Sequence, residues 1–273
     1  GAVLSFGLES ADPHVHEMNW LNCDSDQLKI AIKHINDFGR VKGERGLPKL
    51  LPGLNFIAGL NGETKKSYDM NLSLLEDLSS EGLWLRRINI RQVEGQGFQK
   101  INENDFRSFK KKVREEIDKP LLEEMFPIGS ELSKIWWESQ GDRIRRPEQV
   151  DNPLLSSSKI HGKSGITFGR QIGAYPILVG VPYLIPLETS SNVVVTGHGM
   201  RSISGVEIGL NINTASQQQL ESIPGIGKKA AWRLISSRAK ASRSSRIPFD
   251  SVEMAFEMAQ VNLSPIAEKV LSI

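Results

Sequence analysis

Leu51-Pro-Gly-Leu-Asn-Phe-Ile-Ala-Gly-Leu-Asn-Gly-Glu-Thr64 decides how the first half of the chain is read. Its centre, Leu54 to Leu60, is a short apolar run between two turn signals, Pro52-Gly53 and Asn61-Gly62. Such a run suits a strand buried on both faces, as in a parallel sheet. Helical patterns flank it. Upstream, Asp24 and Gln27 form the start of a helix over about 25–38, with Leu28, Ala31, Ile32, Ile35 and Phe38 as its stripe and Gly39 at its end. Downstream, a helix over about 65–81 carries Tyr68, Leu72, Leu75 and Leu78 on one face and stops at Gly82. Further strands are predicted over about 2–7 and from Leu83 to Val93. Two consecutive β–α–β units require a parallel sheet, either open or closed into a barrel.

The pattern then changes twice. A loop holding Gly95 and Gly97 leads to a helix near 105–118, with Phe106, Phe109, Val113 and Ile117 inward and Lys110-Lys-Lys112 as a solvated face. From about 127 to 205 helical periodicity is missing and short β-like runs appear at Ile177–Val181, Tyr183–Leu187 and Asn192–Thr196. This predicts a small antiparallel β domain of barrel type. Residues 139–165, with Asp142-Arg-Ile-Arg-Arg146 and Ser156-Ser-Ser158, read as an exposed insertion. From about 209 the chain is helical again, with helices from Asn213 or Thr214 to about Ser222, from Lys228 to Arg238, and over roughly 250–260 and 264–271. The fold class is therefore α/β followed by small β and α domains, with segments 1–126, 127–206 and 207–273.

Bulk properties exclude several classes. The 273 residues are 39% apolar and 24% charged, with mean hydropathy −0.28, which fits an ordinary globular chain. No stretch approaches the ~20 apolar residues of a membrane span, so no membrane partner is expected. A net charge of +2 leaves no global footprint for nucleic acid, so any basic patch is local. The single cysteine, Cys23, excludes an internal disulfide and fits a reducing, cytoplasmic setting. It also excludes a cysteine-built zinc or iron–sulfur site within this chain. Gly1-Ala-Val-Leu-Ser-Phe-Gly7 opens in mid-strand with no signal-peptide pattern, and reads as cut from something longer.

The strongest local motif is Asn211-Ile-Asn-Thr-Ala-Ser216 followed by Leu220-Glu-Ser-Ile-Pro-Gly-Ile-Gly-Lys-Lys-Ala-Ala231. Two short helices joined by a Gly-x-Gly turn resemble the helix–hairpin–helix module. Gly225 and Gly227 let backbone amides approach an anion, and the second helix starts there with its positive dipole end. Between Ser222 and Phe249 stand seven basic residues and no acid. Gly225, Ile226, Gly227, Lys228, Lys229 and Arg233 are the candidate contacts to the phosphate backbone of DNA or RNA. The competing reading is a helical hairpin used for packing alone.

Residues 5–13 (SFGLESADP), 51–64 and 85–93 (LRRINIRQV) together resemble the radical S-adenosylmethionine superfamily, and more closely its archaeal-type members with a C-terminal helix–hairpin–helix. Residues 166–182 and 192–205 resemble, more weakly, a TRAM or OB-like β domain. The resemblance implies a partial (β/α) barrel, a TRAM/OB-like barrel and a helix–hairpin–helix domain. It implies a parent enzyme using S-adenosylmethionine and a 4Fe–4S cluster, acting on or guided by nucleic acid. Glu9 and Ser10 match a segment that lies near S-adenosylmethionine in that family. Asn89 and Arg91, sharing one face of the third strand, are the other candidate cofactor contacts, and an internal salt bridge is the competing role for the arginine. The family's C-x-x-x-C-x-x-C loop does not occur in the chain, so no catalytic residue is assigned and the chain by itself is not expected to catalyse. The alternative reading is a non-catalytic DNA- or RNA-binding protein on a degenerate barrel. An N-terminal barrel half or self-association is the expected protein partner. The turn Gly59–Glu63 also resembles a family turn, with Asn61 in place of a proline, and a purely structural role suits it equally.

Weaker signals carry less. His14 and His16 are two residues apart and would not face each other on a helix, so no metal site is expected. His198 reads as a turn residue. Trp136-Trp137 reads as closing the barrel or covering a junction rather than stacking on bases. Arg170 and Arg201 in the β segment are open to phosphate contact.

Overall fold

The computed structural model describes residues 1–142, 165–174, 176–242 and 247–273. The described chain is mixed α/β and divides into two compact units, Gly1–Met125 with Gly173–Pro176, and Phe126–Ile172 with Ile177–Ile273.

In the first unit, β1 (Ala2–Glu9), β2 (Leu50–Ala58) and β3 (Arg87–Gln92) form a parallel sheet in the order β1-β2-β3. Each of the two crossovers is helical, through α1 (Pro13–Asn19) and α2 (Ser25–Gly39), then α3 (Lys65–Ser80). The caps are as their chemistry requires. Asp24 accepts from the Gln27 amide at 2.7 Å. Asp12 accepts from the His14 amide at 3.0 Å, and its second oxygen takes the Ser67 hydroxyl at 2.6 Å, joining the starts of α1 and α3. The inward face of α2 holds Leu28 and Ile32, but Phe38 of the expected stripe is 80% exposed. Asn36 takes the inward place there. Its Nδ2 donates to the carbonyls of Ile32 and Trp84, and its Oδ1 accepts from the Trp84 amide. Trp84 is thereby tied to the helix, and the third strand starts at Arg87 rather than Leu83.

Phe56 of β2 is buried edge-on against Phe109 of α4 (Glu103–Lys112), and Phe109 stacks on Tyr68 of α3 at 5.4 Å. The helix expected over 105–118 widens into a π-helical segment, Val113–Asp118, before α5 (Lys119–Met125). Lys110, Lys111 and Lys112 are exposed.

In the second unit, β4 (Glu131–Asp142), β5 (Gly165–Gln171), β6 (Leu178–Val181), β7 (Ser190–His198) and β8 (Ser202–Glu207) close into a barrel in the order β4-β5-β6-β8-β7. All its pairings are antiparallel except β6 with β8. The expected run Tyr183–Leu187 is not a strand. Its Tyr183 carbonyl and Ile185 amide both bond the buried Thr167 hydroxyl, so it is a strap fixed to β5. Trp137 is fully buried, its indole N–H donating to Ser191 Oγ at 2.9 Å, whereas Trp136 is partly exposed. Of the region expected as an exposed insertion, 139–142 belong to β4, 165 opens β5, and 143–164 lie outside the described residues.

The strand β9 (Leu210–Asn211) pairs in parallel with β10 (Leu271–Ser272). Between them come α6 (Gln217–Glu221), α7 (Lys228–Ala241), α8 (Val252–Ala259) and α9 (Pro265–Val270). The helix expected from Asn213 or Thr214 begins later, because Thr214 and Ala215 turn back onto the Asn211 carbonyl and Ser216 supplies the cap with Gln219. Barrel residues Val194 and Val206 share one apolar core with Leu220, Ile223, Ile226, Leu234, Phe256 and Val270.

Candidate functional site

Two surfaces carry the residues singled out from the sequence. The first is one face of the parallel sheet. Registration places Gly7, Asn55 and Asn89 in one row. Asn89 Nδ2 donates to Asn55 Oδ1 at 2.7 Å, Arg87 Nε donates to Asn89 Oδ1 at 2.6 Å, and Asn55 Nδ2 donates to the Phe6 carbonyl at 3.3 Å. The polar ladder thus runs across all three strands. Glu9 follows a register shift in β1 and has φ +61°. Its carboxylate folds back over Gly7, where a Cβ would stand 2.5 Å from Oε1. Burial raises its pKa and His16 opposes that rise. Glu9 and Asn89 therefore lie on one polar face.

Ser10 and Arg91 behave differently. Ser10 is buried, its Oγ accepts from the Asp12 amide at 3.1 Å, and its carbonyl is bonded by His16, so it serves the turn into α1. Arg91 lies on the same face as Asn89 but is exposed, so the expected inward, desolvated arginine is not what the sheet presents. The strands in this unit form an open three-stranded sheet. Asn55 and Arg87, both unassigned from the sequence, belong to this face, and the two-residue period of β3 would have included Arg87.

The Gly59–Glu63 turn is structural. The buried Glu63 carboxylate accepts from the Gly59 amide at 3.2 and 3.3 Å and from the Tyr68 hydroxyl. Burial raises its pKa despite those bonds. Gln99 closes the turn from the following loop through the Gly62 amide and the Glu63 carbonyl.

The second surface is the turn between α6 and α7. Gly225 has φ +92°, a conformation that L residues rarely adopt. Gly227 caps α7 with φ −81°, ψ 174°, and no side-chain bond satisfies the first amides of that helix. Gly225, Gly227, Lys228 and Lys229 are all exposed, and the two lysines form no ion pair among the described residues. Ile226 is buried in the shared core and its amide donates to the Ile223 carbonyl, so it anchors the turn from beneath. Arg233 is exposed and donates to the Gln260 carbonyl at 3.3 Å. Arg238 is half-buried and holds the carbonyls of Ile212 and Ala215 at 3.0 and 2.8 Å, a clamp on the core. Arg243 and Arg246 lie outside the described residues. Trp232, unassigned from the sequence, is 63% exposed four residues beyond Lys228 and three beyond Lys229. Those spacings share a helix face, and plotting α7 as a helix would have shown it.

The lesser candidates resolve into structure. Arg170 pairs with Glu138 at 2.8 Å. His198 Nε2 lies 2.7 Å from the Phe126 carbonyl. His16 bonds the Ser10 carbonyl. Among the described residues no three His, Cys, Asp or Glu side chains gather as a metal site, and no helix is long and apolar enough to cross a membrane.

No protein-family model matches the chain. It is 35% identical over 244 residues to a protein of Archaeoglobus fulgidus described as uncharacterized, covering 85% of this chain and 42% of that one. It is 33% identical over 216 residues to an uncharacterized protein of Methanocaldococcus jannaschii, covering 75% of this chain and 36% of that one. The chain thus spans less than half the length of either relative.

Proposed function

We propose that this chain binds nucleic acid through its second unit, and that it is the C-terminal portion of a radical S-adenosylmethionine protein whose cluster-binding part lies outside it. The α6–α7 pair is read as a helix–hairpin–helix and the barrel as TRAM/OB-like. The observation that carries the binding reading is the turn itself. Gly225 holds a left-handed conformation, Gly227 leaves the first amides of α7 uncapped, and Lys228 and Lys229 stand exposed beside them. That combination suits a phosphate oxygen and offers no base-reading element, so the contact would be to backbone. Trp232 adds an exposed stacking surface on the same helix face. Five strands closed into a barrel agree in number with OB-type domains.

A cluster does not fit the residues present, since three thiolates are required and the chain has Cys23 alone. No redox step is therefore assigned to it. The polar sheet face, with Glu9, Asn55 and Asn89, is the surface proposed to meet S-adenosylmethionine when the rest of the barrel is present. Neither DNA nor RNA is preferred by this geometry, and the compartment proposed is the cytoplasm. Cys23 as the sole cysteine also favours a second reading, a non-catalytic nucleic-acid-binding protein on a degenerate barrel.

The test is fluorescence anisotropy with a labelled duplex across a salt series. The paired change Lys228→Ala/Lys229→Ala is expected to weaken binding and to reduce the slope of log K against log salt by about 2, near 0.9 per lost phosphate contact. Unchanged affinity and slope would remove the turn from the interface.

A further inference from the structure

Within the second unit, a cavity of about 500 Å³ opens between one face of the barrel and the α6–α7 turn. Its barrel wall follows from registration. Phe168, Gly180, Ser204 and Gly197 stand opposite one another on β5, β6, β8 and β7, so they share one face of four adjacent strands. Ser204 is flanked on both sides by residues without side chains, which leaves a hollow over it. A Cβ at Gly180 would stand 3.3 Å from the Phe168 ring, and one at Gly197 would stand 3.7 Å from Ser204 Oγ. Ile166 extends the apolar barrel wall, and Ile223, Gly225 and Gly227 form part of the opposite side.

Ser204 is 3% exposed, lines this cavity, and its hydroxyl has no hydrogen-bond partner among the described residues. Buried hydroxyls are nearly always bonded, so an orphan in a residue of the cavity wall suits a partner from outside the chain. The volume lies within the roughly 300–1,000 Å³ of small-molecule sites. The walls specify an apolar body, Ser204 a polar edge, and the uncapped start of α7 at Gly227, which lines the cavity, an anionic group. Glu221 also lines the cavity, which disfavours a second anion and suits an amine or hydroxyl donor.

We propose that the cavity takes one unstacked nucleoside of a bound strand, its base against Phe168 and Ser204 and its phosphate on the Gly225–Lys229 turn. This rests on the nucleic-acid reading above and narrows it, from backbone contact to capture of a single unpaired nucleotide.

Three labelled probes test it by anisotropy, each in deoxyribose and ribose form: a blunt duplex, the same duplex with one bulged adenosine, and the same with an abasic bulge. The bulged adenosine is expected to bind about tenfold more tightly than the abasic bulge. Ser204→Leu, which fills the hollow, is expected to abolish that preference while leaving blunt-duplex affinity and its salt slope unchanged. Ser204→Ala, which removes the hydroxyl without adding bulk, is expected to reduce the preference about threefold, and it serves where the leucine variant fails to fold by circular dichroism. Equal affinity for adenosine and abasic bulges overturns the proposal. A folded variant that keeps the full preference overturns it as well. If no duplex binds, so that the backbone reading itself fails, adenosine monophosphate titrated into ¹⁵N-labelled protein decides the cavity alone. Shifts at the Gly180 and Ser204 amides sustain it, and their absence overturns it.

Discussion

Gly227→Asp should make the protein more stable and a weaker binder at the same time. The backbone at Gly227 is extended, with φ −81° and ψ 174°, which any residue adopts. A Cβ built there meets nothing within 4 Å. Neither strain nor packing therefore requires glycine at this position. An aspartate at the N-cap would accept from the first amides of α7, worth a few tenths of a kcal/mol over glycine. Its charge would add about 0.3–1 kcal/mol against the helix dipole. A gain of about 0.5–1.5 kcal/mol follows, or roughly 1–5 °C in the melting midpoint. Binding should move the other way. The same amides would be occupied, and a phosphate oxygen about 4 Å from the new carboxylate would be repelled by roughly 1 kcal/mol at the dielectric of water, more where partly desolvated. At least a fivefold loss of duplex affinity is expected. Urea melts and anisotropy on one preparation measure both. A variant that is stabilised yet binds duplex as tightly as the parent would refute the reasoning, because the amides would then be shown to have no ligand role.

Gly225→Ala should show the opposite pattern, a loss of about 1–2 kcal/mol from the left-handed conformation, since the added methyl meets Ser264 only at an ordinary 3.7 Å; a urea melt with unchanged midpoint would contradict the φ of +92°. Phe56→Ala should cost about 3–5 kcal/mol in the first unit, because Phe56 is 1% exposed and edge-on to Phe109; hydrogen exchange in β1–β3 measures it, and protection equal to the parent's would count against that core. Burial raises the Glu207 pKa while a Ser191 bond opposes it, so its contribution to stability is fully present below the unfolded carboxylate value near ~4.3 and is lost as pH rises through the folded one. Glu207→Gln should therefore gain stability relative to the parent from acid to neutral pH, and parallel pH–stability curves would exclude this origin. Arg91→Leu, at an exposed position beside the polar sheet face, should leave stability within about 0.5 kcal/mol of the parent and weaken S-adenosylmethionine binding by calorimetry without abolishing it; no heat from the unsubstituted chain would show that the sheet face does not hold the cofactor alone.

The parallel sheet was legible because its signals are local. Asn61-Gly62 follows the apolar run, and Asp24 and Thr64 stand where helices begin, but Pro52-Gly53, read as a turn ahead of a strand over Leu54–Leu60, pairs with β1 inside β2, which runs Leu50–Ala58. The barrel was less legible because its longest strand hides its period. The inward residues of β4 are Leu132, Ile135 and Trp137, separated by three and then two positions. Register shifts fall between Leu132 and Ile135 and between Trp137 and Ser139, and Lys134 has φ +56°. A bulge inserts a residue and moves the alternation to the other face, so a search for period two fails there although the strand is continuous. Phe38 failed for a related reason. Helical spacing reports which residues share a stripe, but not whether a neighbour exists at the helix end to cover the last of them.

The candidate sites divide along the same line. The α6–α7 turn is contiguous, and its glycines and lysines could be read directly, because each owes its role to its own backbone or to the next few residues. The hollow over Ser204 could not be read that way. Gly180, Gly197 and Ser204 are unremarkable singly, and Gly197 lies beside His198 in a stretch that suggests a turn. Their meaning comes from cross-strand registration, which brings two glycines to either side of one serine and sets Phe168 at the end of the row. Registration in turn depends on a closed barrel in which β6 pairs with β8 in parallel, passing over the intervening strand. An orphan hydroxyl is a property of that closure, and among the described residues of the second unit Ser204 Oγ is the buried side-chain polar atom left without a partner. The tension is sharpest because the opposite wall is the turn that the sequence marks for phosphate. A helical hairpin serving only to pack would need its apolar underside, Ile223 and Ile226, against the barrel. It would not need a cavity of ligand size lined by its glycines.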